Sequence, residues 1–355
     1  MDNITTASEI AKFEEKIKSV ILPPTLREKL EEEITRLKRM VNSGVYTQEY
    51  VRLSLYLDWI INYPWEKRSD DVLDLEYALK ILNQNHYGLG SIKERILEYL
   101  AVMKLRKESS AEKSERLKFM RAPILCFVGL VGTGKTTIAI SIAEAMGRKF
   151  ERIPFGGMGD PLYLRGQSRV HPESEPGQII KAMRRAGTRN PVILLDEIDR
   201  VVEESRATIM GVLVELLDPE QNMAFTDNYF DYPVDLSEVL FIATANNTTN
   251  ISTAVLDRLE PMMMPSYSDE EKTKIARDFV LPKMMEESGL TKDNLQINDD
   301  VWAQIVRPLG YDAGIRTLER TINGICRKVA KMMVEKKGQK FILTQENIKE
   351  FLPTW

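Results

Sequence analysis

The sequence is poor in the residues that support disulfide, zinc and histidine chemistry. Among its 355 residues there are only two cysteines and two histidines. Cys126 and Cys326 lie far apart and lack the spacing of metal ligands, which excludes a disulfide framework and a cysteine-rich zinc site. We therefore expect two buried, reduced thiols.

Long apolar runs and an excess of positive charge are also missing. The stretch PILCFVGLVG is too short to span a bilayer, and the start MDNITTASEI lacks the apolar core of a signal peptide. The formal net charge is −4, so nothing favours nucleic acid or an anionic membrane as a partner. Hydrophobic residues at 43% and charged residues at 29% are typical of a folded protein, which we expect in the cytoplasm.

Three regions with different patterns follow one another along the chain. Residues 1–66 carry dense charge and an apolar stripe at helical spacing from Leu26 to Val41, which predicts an N-terminal helical arm. Residues 67–265 alternate helical patterns with apolar runs such as ILCFVGL, VILLDEI and VLFIATAN, which predict a parallel sheet covered on both faces. Residues 266–355 are helical again and predict a separate all-α domain.

The stretch GLVGTGKT fits the pattern G-x-x-x-x-G-K-T of a phosphate-binding loop. It follows an apolar strand and opens the helix TTIAISIAEAM, which is the context that this motif requires. Its glycines allow backbone amides to surround phosphate oxygens, Lys135 reaches the β- and γ-phosphates, and Thr136 is a ligand for Mg²⁺. The residues predicted to bind ATP or ADP here are Gly129, Val131, Gly132, Thr133, Gly134, Lys135, Thr136 and Thr137.

Two further apolar runs end in polar side chains at the predicted carboxyl edge of the sheet. VILLDEID places Asp196 to bind Mg²⁺ and Glu197 to orient and deprotonate the attacking water, although a solvated strand end is the simpler alternative. VLFIATANN places Asn246 near the γ-phosphate or the water. Arg258 and Arg316 are either ordinary surface ion-pair residues or the cations that phosphoryl transfer requires.

The series GLVGTGKT, VILLDEID, ATANN, LDRLEP and GIRTLER resembles the AAA+ ATPases. YLDWIINYPWEK and LLDPEQNMAFTDNYFDYPVDLSEVLFIATANN resemble, more narrowly, the ATPase module of Lon protease, and the likeness extends from about residue 20 to residue 352. The resemblance implies an α/β P-loop AAA+ core, a parallel sheet flanked by helices, with an N-terminal helical arm and a C-terminal all-α lid domain.

The resemblance also implies roles for individual residues. Asn246 corresponds to the sensor 1 residue, Arg258 to an arginine finger that acts in the neighbouring subunit, and Arg316 to the sensor 2 arginine of the lid. His86 and Tyr87, in NHYGL, correspond to the segment that contacts adenine and ribose. For His86, packing at a helix end remains the alternative.

For the whole protein, the resemblance implies a homohexameric ring that uses ATP to unfold proteins and translocate them into a peptidase chamber. The substrates it implies are unfolded or damaged proteins. The sequence ends at FLPTW, before a peptidase domain would begin, so we expect peptidase activity only from a domain on a longer parent chain. A stand-alone Lon-like ATPase that remodels or binds a protein partner without proteolysis is the alternative. A DNA-processing motor is disfavoured because no basic stripe interleaved with aromatic residues is found.

The segment RVHPESEPG departs from the pattern of the family. Where Lon carries an aromatic and then an aliphatic residue that grip polypeptide, this sequence has His171 and Pro172, followed by Glu173 and Glu175. Three interpretations stay open: a loop that has lost its grip, a pore that prefers basic or polar segments, or contact supplied instead by Tyr163 or Met158.

Overall fold

The computed structural model describes residues 3–42, 48–109, 124–307 and 314–353. The chain divides into two compact units, and the first consists of Met1–Leu73, Ala101–Cys126 and Ala143–Pro261. The second consists of Asp74–Leu100, Phe127–Ile142 and Met262–Trp355.

The α-helices of the described residues are α1 (Asn3–Ser19), α2 (Pro24–Asn42), α3 (Gln48–Ile61), α4 (Leu75–Asn85), α5 (Gly90–Ser109), α6 (Lys135–Ala145), α7 (Leu162–Arg165), α8 (Gln178–Ala186), α9 (Arg206–Leu217), α10 (Thr253–Leu256), α11 (Asp269–Ile275), α12 (Leu281–Glu287), α13 (Trp302–Val306), α14 (Arg316–Val334) and α15 (Ile348–Phe351). The β-strands are β1 (Ile124–Val128), β2 (Phe150–Pro154), β3 (Val192–Asp196), β4 (Phe225–Asp227), β5 (Tyr232–Val234), β6 (Leu240–Ala245), β7 (Leu259–Met263), β8 (Leu295–Ile297) and β9 (Phe341–Leu343).

The largest sheet among the described residues has five strands in the order β2-β3-β6-β1-β7. β2 and β3 pair in parallel with Phe150 opposite Val192, and β3 and β6 pair in parallel with Val192 opposite Leu240. All residues of β3 and β6 are buried, which is why these strands read as continuous apolar runs rather than as alternating patterns. The predicted parallel α/β core is therefore confirmed.

The helical arm of the first unit consists of α1, α2 and α3. α2 begins at Pro24, whose fixed φ and missing N–H suit the first turn of a helix. Its apolar stripe is buried at Leu26, Leu30, Ile34 and Leu37.

Aromatic side chains join the end of the arm to a hairpin formed by the antiparallel strands β4 and β5 of the same unit. Tyr63 lies with its ring centroid 5.5 Å from that of Phe230, and Trp65 lies 6.2 Å from Tyr232. The hairpin therefore packs against the arm, although in sequence it lies between the sheet strands β3 and β6.

The second unit has a helical core of its own, built from α11 to α15. Ile322, Ile325 and Val329 of α14 are fully buried in it. α11 begins with a capping box, in which the Ser268 hydroxyl accepts from the Glu271 amide while the Glu271 carboxylate accepts from the Ser268 amide. The structure adds one feature to the predicted helical lid, a short parallel pairing of β8 with β9.

Candidate functional site

The phosphate-loop sequence forms a tight turn between β1 and α6. Gly132 and Gly134 have φ values of +83° and +92°, a region that residues with a Cβ rarely adopt. Gly129 is packed so closely that a Cβ there would lie 2.8 Å from the carbonyl oxygen of Met264. These positions require glycine because of the backbone conformation or the space available, which explains the spacing of the motif.

Lys135 is the first residue of α6 and its side chain is buried. Its Nζ donates to the carbonyl oxygens of Gly129 at 2.6 Å and Leu130 at 2.9 Å, so the ammonium lies inside the curve of the loop. The Thr133 hydroxyl donates to the same Leu130 carbonyl at 2.9 Å. A cation held beside backbone amides at the start of a helix is an arrangement suited to polyphosphate.

The side chains that follow Lys135 differ in exposure. Thr136 is half-buried and Thr137 is exposed, with the Thr137 hydroxyl donating to the Gly134 carbonyl at 2.8 Å. Val131 at the tip of the loop is exposed as well. Of the two threonines, Thr136 lies where the motif predicts a Mg²⁺ ligand.

Arg316 lies beside this loop within the second unit, at the start of α14. The Ile315 amide donates to the Gly132 carbonyl at 3.0 Å, and a Cβ on Gly132 would lie 3.3 Å from the Arg316 nitrogen. Gly314 is similarly close, because a Cβ there would lie 2.5 Å from the Val131 carbonyl oxygen. The first turn of α14 is thereby fixed against the phosphate loop.

His86 is buried at the end of α4 and forms hydrogen bonds on two sides. Its Nε2 lies 2.9 Å from the Ser141 hydroxyl of α6, and the Lys93 ammonium donates to its carbonyl at 2.7 Å. Burial and the nearby charge of Lys93 lower the pKa of His86 to about 4, against the opposing hydrogen bond with the backbone of Thr137. The imidazole is therefore neutral at pH 7, and these contacts favour the packing interpretation of its side chain.

Tyr87 differs from its neighbour, because it is half-buried and packs against the helical core of the second unit. Lys274 donates to its hydroxyl at 3.2 Å. If this segment contacts a nucleobase, Tyr87 is the side chain with accessible surface.

In the first unit, Asp196 ends β3 and is held on two sides. One carboxylate oxygen accepts from Arg152 Nε at 2.7 Å, and the other accepts from the hydroxyl of Thr244. Asp196 is buried, whereas the Arg152 side chain is 53% exposed. Both carboxylate oxygens of Asp196 are therefore held in place by side chains of the first unit.

Glu197 has φ 58° and ψ 49°, the left-handed conformation that is uncommon outside glycine. Its amide donates to the Thr244 hydroxyl at 2.9 Å, and its carboxylate lies 3.6 Å from Arg200. Thr244 therefore links Asp196 to Glu197 and supports the strained residue. Such conformations concentrate at functional sites, where the surrounding structure holds them in place.

Asn246 follows β6 directly and is half-buried. The next amide, that of Asn247, donates to the Asp199 carboxylate at 3.3 Å, and Asn250 donates to the Asp199 carbonyl at 3.4 Å. Asp199 thus connects the segment after β3 to the segment after β6, as expected for neighbouring strands of a parallel sheet.

Arg258 is bound within its own chain. Its two terminal nitrogens donate to the Ala254 carbonyl at 2.8 Å and to the Asp218 carboxylate at 2.7 Å. Burial would raise the pKa of Asp218, but Arg258 and the amides of Glu220 and Gln221 outweigh burial and hold this pKa below its ordinary value. The guanidinium direction is fixed by this pair.

The acidic loop, which we define as residues 167–176, emerges from a closely packed neck. A Cβ on Gly177 would lie 2.0 Å from the Leu164 carbonyl oxygen, and one on Gly166, at φ +73°, would lie 2.7 Å from the Gly177 nitrogen. Fully buried Asp227 of the hairpin closes this neck, since it accepts from the Gly177 amide at 2.8 Å.

Asp227 also binds its own hairpin, by accepting from the amides of Tyr229 at 2.8 Å and Phe230 at 3.1 Å. Burial raises the pKa of Asp227 to about 6, although these three hydrogen bonds and the charge of Lys181 act in the opposite direction.

At the tip of the acidic loop lies Val170, an apolar residue that is 81% exposed. His171, Pro172 and Glu173 are exposed beside it. Of the two alternative contact residues considered from sequence, Tyr163 is exposed and Met158 is buried, so Met158 does not present a surface to a substrate.

The predicted site residues belong to different units. The phosphate loop, His86, Tyr87 and Arg316 lie in the second unit, and Asp196, Glu197, Asn246 and Arg258 lie in the first. Sequence reasoning missed Thr244, Asp218 and Asp227, which act through contacts with residues distant in sequence. No helix among the described residues has the length and apolar character needed to cross a membrane.

Comparison with known proteins agrees with this geometry. Residues 125–267 match the model of the ATPase family associated with various cellular activities (AAA), and residues 286–342 match the Lon protease AAA+ ATPase lid domain.

The chain is similar to several proteins named Lon protease. It is 43% identical to Lon protease 2 of Herpetosiphon aurantiacus over 97% of the chain and 41% of the relative. It is 43% identical to Lon protease of Lawsonia intracellularis over 99% of the chain and 41% of the relative, and 41% identical to Lon protease 1 of Bacillus subtilis over 97% and 43%. The chain thus spans about two fifths of the length of these relatives. It belongs to the Lon protease family of AAA+ ATPases and corresponds to the ATPase module of that family.

Proposed function

We propose that this module hydrolyses Mg²⁺-bound ATP as part of a homohexameric ring. The energy released is used to unfold damaged proteins and to thread unfolded chains through the ring. A peptidase domain on the same polypeptide receives the threaded chain. What supports the nucleotide part most is the phosphate loop, with Lys135 inside its curve and α6 beginning at that residue. The cytoplasm is the proposed location.

The phosphate loop binds the charged end of the nucleotide. Lys135 contacts the β- and γ-phosphates, and the amides at the start of α6 donate to phosphate oxygens. The Thr136 hydroxyl and the Asp196 carboxylate are oxygen ligands of the kind that Mg²⁺ prefers, and Arg152 and Thr244 hold the Asp196 carboxylate in place. When bound, the ion neutralises charge on the phosphates.

Glu197 takes a proton from the attacking water, and Asn246 orients that water or the γ-phosphate. Arg258 acts in the active site of the neighbouring subunit, with its guanidinium directed by Asp218. Arg316 carries the state of the nucleotide into the helical lid, because the first turn of α14 is fixed to the phosphate loop. We propose residues 1–66, 67–265 and 266–355 as the arm, core and lid that perform these steps.

The proposal is tested by replacing Glu197 with glutamine, which preserves shape and removes the base. The Glu197→Gln variant is expected to bind ATP and to lose turnover, with binding measured by a fluorescent ATP analogue and turnover by phosphate release. Exposed Glu204, replaced in the same way, is the matched control and should behave as the parent chain. Unchanged turnover in Glu197→Gln would remove Glu197 from the mechanism.

A further inference from the structure

The acidic loop is attached to the helical arm as well as to its own neck. The attachment is made by Arg169, which precedes the exposed tip residue Val170. The Arg169 guanidinium carbon lies 3.8 Å from the centroid of the Tyr56 ring in α3, within the range of a cation–π interaction. One of its nitrogens lies 3.6 Å from the Glu33 carboxylate of α2.

Tyr56 is itself fixed in the interior of the first unit. Its side chain is fully buried, and its hydroxyl donates to the Phe230 carbonyl of the hairpin at 3.3 Å. Its ring centroid lies 6.1 Å from that of Tyr229, which follows the neck residue Asp227 by two positions. Arm, hairpin and loop therefore meet at one aromatic side chain.

The contact is well suited to orienting a loop tip. The Arg169 side chain is 26% exposed and that of Glu33 is 18% exposed, so the interaction is partly desolvated and stronger than a surface ion pair. The neck fixes where the loop leaves the core, whereas Arg169 fixes where the loop goes from there. Because Val170 is the next residue, displacement of Arg169 displaces the tip.

We propose that Arg169, held by Tyr56 and Glu33, is a positioning residue through which the helical arm sets the placement of the polypeptide-contacting loop. This inference rests on the proposed function, since it assumes that the loop contacts unfolded protein. It assigns the arm a role in substrate engagement, because changes in α2 and α3 then alter the loop directly.

The first readout is amide hydrogen exchange of residues 167–175, which needs neither nucleotide nor substrate. Arg169→Ala is expected to speed exchange in this segment by about tenfold, the effect of losing a partly buried cation–π contact. Arg185→Ala is the matched control, because Arg185 is a surface arginine of the same unit that pairs with Glu151 at 2.7 Å. Exchange that is equal in the parent and Arg169→Ala would overturn the inference.

The second readout is the casein concentration that half-maximally stimulates ATP turnover. Arg169→Ala should raise it by about tenfold, if the loop must be held to bind polypeptide. Arg169→Lys separates two explanations, since lysine keeps the charge and loses the planar stack. A positioning role requires that each Arg169 variant that raises this casein concentration also speeds exchange in residues 167–175. A variant that raises the casein concentration with exchange equal to the parent would instead assign Arg169 to direct contact with substrate.

Tyr56 provides a further pair of variants. Tyr56→Phe keeps the ring under Arg169 and should leave both readouts near the parent values, whereas Tyr56→Leu should reproduce Arg169→Ala. A parent chain that hydrolyses ATP and ignores casein would contradict the proposed function. In that case hydrogen exchange alone decides whether Arg169 holds the loop.

Discussion

Replacing Asp227 by asparagine should change how the stability of the protein depends on pH. Burial raises the pKa of this carboxyl from 3.8 to about 6 in the folded chain. A raised pKa means that the folded chain binds the proton more tightly than the unfolded chain does. The stability contributed by this proton is therefore fully present below pH 3.8 and is lost as the pH rises through about 6.

The size of the effect follows from the same two values. A pKa that is higher by about two corresponds to about 3 kcal/mol in total, at ~1.4 kcal/mol for each pKa unit. About half of this stabilisation develops as the pH falls from 7 to 5. The free energy of unfolding of the parent should therefore rise by about 1.4 kcal/mol relative to that of Asp227→Asn over this interval.

The assay is urea unfolding of the parent and Asp227→Asn at pH 7 and pH 5, in one buffer series of constant ionic strength. Asp231→Asn is the control, since it removes a carboxylate from the same hairpin whose side chain is 71% exposed. A difference between parent and Asp227→Asn that is the same at both pH values would refute the reasoning. So would a parent that loses stability relative to the variant at pH 5.

Three further predictions concern ATP. Lys135→Ala should weaken ATP binding by at least about tenfold, because a charge-assisted contact to phosphate is lost, and unchanged affinity in calorimetry would argue against the loop assignment. Thr244→Val should lower ATP turnover by about tenfold, because it removes the hydroxyl that links Asp196 to Glu197. Thr244→Ser keeps this hydroxyl and should not lower turnover. Equal turnover in the two variants would show that the link is dispensable. Arg258→Ala should lose about 1,000-fold in ATP turnover while still binding ATP. Mixing it with Glu197→Gln should restore activity at junctions where one subunit supplies Glu197 and its neighbour supplies Arg258. A mixture without recovery would exclude action of Arg258 in the neighbouring subunit.

Features written in contiguous sequence could be predicted directly. GLVGTGKT carries its own context of strand, turn and helix, and the buried strands β3 and β6 lack the alternation of half-exposed strands. The glycine positions follow from local backbone conformation, as at Gly132 and Gly134. The family resemblance supplied roles for single polar residues that have no local signal of their own.

Other features could not be predicted because they depend on pairings across the fold. Thr244 supports Asp196 only because β6 lies beside β3, and Asp218, which pairs with Arg258, lies 40 residues earlier at the end of α9. From sequence alone, Asp227 resembles an ordinary turn residue. Its role becomes visible only in the structure, where the hairpin places it at the neck of the acidic loop. β8 and β9 are three residues long each, which is too short for an alternating pattern to appear.

The opposite case is His86, for which sequence offered two interpretations. The sequence NHYGL does not indicate whether the ring of its histidine faces a ligand or the protein interior. The hydrogen bond to Ser141 and the pKa lowered to about 4 by burial and by Lys93 describe an interior, neutral side chain. Only the three-dimensional environment distinguishes these possibilities, because burial is set by α6 rather than by neighbouring residues.

The central claim is that an ATP-driven module engages polypeptide, and ATP turnover over a series of protein concentrations with and without casein tests it most directly. The account predicts that turnover per chain rises with concentration, as required when Arg258 acts in a neighbouring subunit, and rises again with casein. The same series with His171→Tyr/Pro172→Val measures how far the acidic loop limits that response. Turnover that is independent of concentration, and indifferent to casein even with the altered loop, would contradict the account.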